Sequence, residues 1–127
     1  MIHEEICTYE VCKLAEEKEF PQHIGNDAYI VENEGDDEYE VGCCYPIEFI
    51  PEDLEIIAAP TQSLLQRWLR EEKFIDIEIY PIFINGVRAY TARMYAPNLN
   101  KSKKFNYFDT YEFTLEDALK YALENLI

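Results

Sequence analysis

Apolar and polar residues alternate most regularly between positions 75 and 96. Ile75 to Ile84 and Val87 to Ala96 read as two strands, and the Asn85-Gly86 pair between them is the strongest short hairpin signal. A two-residue loop fixes the register. Ile84 faces Val87, and counting back sets Ile79 against Ala92 and Ile77 against Met94. The last two pairs share one apolar face. The same count sets Glu78 against Arg93 on the other face, where the charges can pair. Turn and alternation agree, which is evidence for the register. Pro81 falls where no bond crosses the hairpin, so the outer side of its strand is expected to be unpaired or bulged.

A second alternating region lies earlier. Ala28 to Asn33 and Glu38 to Cys44 read as strands, with Glu34-Gly35-Asp36-Asp37 as the turn. Tyr29 and Val31 share one parity, as do Tyr39, Val41 and Cys43. Glu32, Glu38 and Glu40 take the other.

Helical spacing appears three times. Thr8 can cap a helix running to about Glu19, with Val11, Leu14, Ala15 and Lys18 on one side and Pro21 and Gly25 ending it. Pro60 starts a helix that ends near Lys73, with Thr61 and Ser63 able to bond its free amides. Its apolar stripe is Leu64, Leu65, Trp68 and Leu69; Gln62, Gln66 and Arg70 form a polar stripe that reads as a solvated face. Thr114, with Asp117 three residues on, resembles a capping box for a last helix from Leu115 to about Leu126. Leu115, Ala118, Leu119, Ala122, Leu123 and Leu126 share its face. Ile47 to Ile50 suits a short extended piece, Leu54 to Ala58 fits strand or helical turn, and Phe105 to Tyr111 suits another strand. The expected fold is α+β: one antiparallel sheet of about four to five strands, in two hairpins, packed on about three helices. The face of Ile77, Ile79, Ala92 and Met94 should meet the Trp68 helix, the last helix or both.

Composition adds a domain size and a partner class. The 127 residues suit a single domain over 1–127, and 48% apolar residues are enough for a core. The net charge of −15 is uneven: residues 1–60 hold 17 Asp and Glu against Lys13 and Lys18, while 61–127 hold nine acids and nine Lys and Arg. That asymmetry argues against direct binding of nucleic acid or anionic lipid through the first half. No apolar run approaches a membrane span, and the acidic Met1 to Glu5 is unlike a signal peptide, so a cytoplasmic location is expected.

Candidate chemistry is sparse. His3, Cys7, Cys12 and His23 supply zinc-type ligands at a spacing no finger uses. The acids from Glu32 to Glu40 lack the alternation of a calcium loop. Only His3 and His23 could activate a thiol, and nothing places either beside Cys43 or Cys44. There is no phosphate-binding glycine loop and no nucleophile elbow. No metal, cofactor, structural disulfide or catalytic residue is expected.

The run Ala59-Pro60-Thr61-Gln62-Ser63-Leu64-Leu65-Gln66-Arg67-Trp68-Leu69-Arg70-Glu71, followed by Tyr111, Glu116-Asp117-Ala118-Leu119 and Ala122-Leu123, resembles short proteins of phages and mobile elements of gut bacteria. The resemblance covers about the last half of the chain. That group has no assigned activity, so it implies a biological setting and no catalytic residue.

The function expected is therefore an accessory or interaction protein. Glu32, Glu34, Asp36, Asp37, Glu38 and Glu40 would be solvent-exposed beside a hairpin tip and would meet a basic partner, such as a nucleic-acid-binding host protein whose groove accepts phosphates. Two other classes compete: a structural or homo-oligomeric protein with incidental charge, and an enzyme of unfamiliar type.

Overall fold

The structure is a computed structural model. It describes residues 5–22, 27–34, 38–46, 56–99 and 103–127, with backbone alone for 31–34, 38–46 and 104. The elements in chain order are α1 (Tyr9–Glu17), β1 (Asp27–Glu34), β2 (Glu38–Pro46), β3 (Ile56–Ala58), α2 (Gln62–Lys73), β4 (Asp76–Ile84), β5 (Val87–Tyr95), β6 (Lys103–Lys104) and α3 (Tyr111–Asn125). Among the described residues, three helices and two antiparallel sheets make the fold α+β.

The strands form two sheets, β2-β1-β3 and β4-β5-β6, where the sequence suggests one. Pro81 supplies part of the reason. It lies on β4, an edge strand, and a strand that shows a missing donor on its outer side is a poor template for extension. The helices take the place of a joining strand: α3 packs on β4 and β5, α2 on β4, and α1 on β3.

The β4–β5 register is the one the turn requires, from Ile84↔Val87 through Ile79↔Ala92, Glu78↔Arg93 and Ile77↔Met94. Asn85 and Gly86 both have positive φ, as a tight two-residue turn demands. Ala92 and Met94 are buried, and Ile77 and Ile79 pack against the same core, which meets both α2 and α3.

The β1–β2 register is less regular. Tyr29 faces Cys44 and Val31 faces Val41, so β2 holds one extra residue at Gly42-Cys43. That bulge interrupts the parity expected to run from Tyr39 through Cys43. Ile56–Ala58 resolves as a strand, pairing with β1 through Ala28↔Ala58 and Ile30↔Ile56. Residues 47–50 lie outside the described set.

Each helix begins on a threonine. Thr8 accepts from the Val11 amide, Thr61 from Leu64 and Thr110 from Phe113. Pro60 therefore precedes its cap instead of opening the first turn, and its carbonyl accepts from the Cys7 amide at 3.0 Å. Thr114 is not the cap of α3. It lies one turn inside, buried, with its hydroxyl 2.9 Å from the Thr110 carbonyl and 3.2 Å from that of Tyr90. The expected strand over 105–111 is also corrected. Phe108 alone makes a bridge there, to Tyr90; before it, the Phe105 amide donates to the Ala92 carbonyl at 3.1 Å and the Thr91 hydroxyl donates to the Phe105 carbonyl at 2.8 Å.

One buried cluster joins the elements: Val11 and Ala15 of α1, Ile57 of β3, Leu65 and Leu69 of α2, Ala92 and Met94 of β5, and Leu115, Ala118, Leu119, Ala122 and Leu123 of α3. Among the described residues, no helix is long and apolar enough to cross a membrane.

Candidate interaction surfaces

The acidic hairpin comes first. The backbone register sets Glu32 opposite Glu40 and Glu34 opposite Glu38, two like-charged pairs in succession on one parity. Directly opposed Cβ atoms in such a ladder sit roughly 5 Å apart, and like charges there destabilise the pairing. Asp36 and Asp37 lie outside the described residues, as do the side chains on which exposure of the six would be judged.

Of the four cysteines, the side chains of Cys7 and Cys12 are described, and those of Cys43 and Cys44 lie outside the described residues. Cys7 and Cys12 are buried free thiols, and Cys12 Sγ lies 3.6 Å from the Cys7 carbonyl. The hydrogen bond from Cys12, and then burial, push the Cys7 thiol far above the usual range, so it stays protonated. His3 and His23 lie outside the described residues. Among the described residues, no group of three His, Cys, Asp or Glu could hold a metal ion.

A groove that the sequence does not announce lies between the start of α1 and the first turns of α3. The segment before α1 runs against the start of α2: Ile6 bridges Thr61, and the Gln62 amide donates to the Glu5 carbonyl at 2.8 Å. This places Glu5 and Ile6 across from α3. Glu116 of α3 then reaches back. Its Oε1 accepts from the Thr8 amide at 2.6 Å, and its Oε2 accepts from Gln62 Nε2 at 2.8 Å. The Thr8 contact is a capping box completed from another helix, because Val11 stands where a local glutamate would be. Gln62 Nε2 also donates to the Glu112 carbonyl at 2.8 Å. Gln62 is only 5% exposed, and Gln66 donates to the Ile77 carbonyl, so two of the three polar-stripe residues tie α2 to its neighbours instead of facing water.

The groove encloses roughly 400 Å³. Ile6, Val11 and Phe113 give it an apolar lining; Glu5, Glu10, Glu112, Glu116 and Asp117 supply carboxylates. Among the described residues Lys120 is its one cation, bonded to Glu10 at 2.9 Å. That bond raises the Lys120 pKa, so the ammonium persists through the neutral range.

An aromatic strip continues from the groove. The Phe113 and Phe108 rings meet tilted with their centres 4.9 Å apart, Tyr111 meets Tyr90 edge-on at 5.9 Å, and the Arg88 guanidinium lies 5.1 Å from the Tyr90 ring centre. Phe113 is 62% exposed.

No protein-family model, no curated protein and no solved structure matches this chain.

Proposed function

We propose that this protein is a non-enzymatic interaction protein whose acidic first half binds a basic protein partner, in the setting of a phage or mobile element. A host nucleic-acid-binding protein is the class of partner whose surface best answers such charge. The observation that carries the reading is the pairing of Glu32 with Glu40 and Glu34 with Glu38. The sequence has no Lys or Arg between positions 19 and 66 to neutralise them locally. A hairpin that opposes its own like charges gives up pairing energy, and a basic surface laid on it would relieve the cost.

The test compares the parent chain with a variant carrying Glu32→Gln, Glu34→Gln, Asp36→Asn, Asp37→Asn, Glu38→Gln and Glu40→Gln. Both are used to capture partners from a bacterial lysate at low and high salt, and association rates are measured for any partner identified. The expected result is a basic partner whose association slows with added salt and with the six changes, because steering acts on the on-rate. A partner whose binding ignores both would refute the reading.

A further inference from the structure

From the groove between α1 and α3 we infer a docking site for a short basic, amphipathic segment of a protein partner. The apolar lining of Ile6, Val11 and Phe113 would hold an aliphatic or aromatic side chain. Phe113 is the wall available to it, since an aromatic ring this exposed at a helix start has water to shed. Burying it against an incoming side chain is the usual action of an aromatic anchor.

Charge selects the occupant. Among the described residues five carboxylates line the groove against one ammonium, and that ammonium is already bonded to Glu10. Part of the acid has a local role. Glu10 and Glu112 lie in the first turns of α1 and α3, where they offset the positive end of each helix, and Glu116 is held by the Thr8 amide and Gln62. Glu5 and Asp117 serve neither purpose, and neither has a cationic bonding partner among the described residues. An uncharged or acidic segment would leave Glu5 and Asp117 unanswered, while lysine or arginine beside an apolar anchor answers both the charge and the lining. The groove's volume is near the lower end for ligand sites, which fits a short stretch of chain and not a folded surface.

The inference shares with the proposed function only the basic character of the partner; its residues are different. The probe is a short synthetic peptide alternating arginine and leucine. Its controls alternate arginine with serine, and glutamine with leucine. The full chain, labelled for amide NMR, is titrated with each. The expected result is saturable shifts clustered at residues 5–11 and 110–117 for the arginine–leucine peptide, with both controls at least about tenfold weaker. Phe113→Ser combined with Asp117→Asn should weaken the peptide by about tenfold; both side chains are exposed, so the amide spectrum should otherwise persist. The six-fold hairpin variant should bind it like the parent.

Equal binding of the arginine–serine control would overturn the groove, reducing the effect to bulk charge. Shifts confined to β1 and β2, lost in the hairpin variant and kept in the groove variant, would also overturn it and leave the proposed function standing. Groove binding that survives in the hairpin variant, beside a captured partner indifferent to the six acids, would uphold the groove and refute the hairpin reading.

Discussion

The two hairpins of this protein are nearly equal in length and opposite in design. In β4–β5 the turn is Asn85-Gly86, the register runs without a break, and Glu78 and Phe83 each face an arginine, Arg93 and Arg88. In β1–β2 the register shifts at a bulge, and glutamate faces glutamate twice. In the first hairpin the turn, the register and the inner apolar face agree with one another, which is how a segment specifies its own fold. The second departs from local rules in charge and in register at once. Such departures gather where a chain serves something besides its own stability. The acids of β1–β2 therefore ask for a reason that β4–β5 does not need.

The largest effect that probes this contrast is at the inner face of the regular hairpin. Met94 is fully buried and faces Ile77 beneath α2 and α3. Met94→Ala should cost roughly 2–5 kcal/mol by removing apolar volume that its neighbours cannot refill. Urea unfolding measures it. A loss under about 1 kcal/mol would mean that β4–β5 is not anchored in the core, and the contrast between the hairpins would lose its structural half.

Legibility follows the same division. The β4–β5 register was readable because its determinants are neighbours in sequence: a turn of fixed length and the alternation of Ile75, Ile77 and Ile79 with Asp76 and Glu78. Thr8 and the apolar stripes of all three helices were readable for the same reason. The start of α3 was not, because Thr110 and Thr114 are equally good caps locally. What separates them is the Tyr90 carbonyl, which takes up the Thr114 hydroxyl from another element. The bulge at Gly42-Cys43 has no mark in the alternation, although a glycine inside a strand hints at one. The groove was least readable of all. Its shape depends on Glu116 meeting Thr8 across 108 positions and on Gln62 turning inward from a stripe that looks solvated. Only folding brings those residues together. The split into two sheets is likewise a tertiary outcome, with Pro81 its one local sign.

A middle-sized effect tests the turn. Gly86 has φ of +79°, and a Cβ there would meet no atom within 4 Å. Any penalty for Gly86→Val is therefore a backbone penalty, about 1–2 kcal/mol for a β-branched residue held in the left-handed region. Thermal unfolding should show it, and amide shifts should be confined to the tip of β4–β5. Changes that spread along the whole ladder would instead report a slipped register and weaken the claim that this hairpin is over-determined.

The smallest effect bears most directly on the comparison, because it makes one hairpin resemble the other. Glu32→Lys turns the Glu32↔Glu40 pair into an opposed lysine and glutamate, the counterpart of Arg93 facing Glu78. A cross-strand pair changed from like to unlike charge gains about 0.2–1 kcal/mol. For a chain of this size that raises the melting temperature by about 1–4 °C. The gain should shrink in added salt, since it arises between charges that mobile ions screen. Glu78→Gln should move the other way, losing a few tenths of a kcal/mol with the same salt dependence. If the acids of β1–β2 are retained for a partner, Glu32→Lys should stabilise the free protein while slowing association, so that stability and binding change in opposite senses. Were the substitution to destabilise, the Glu32↔Glu40 opposition would not be the strain it is taken for. Were it to stabilise and leave association untouched, the charge would be incidental, and the difference between the two hairpins would be one of regularity alone.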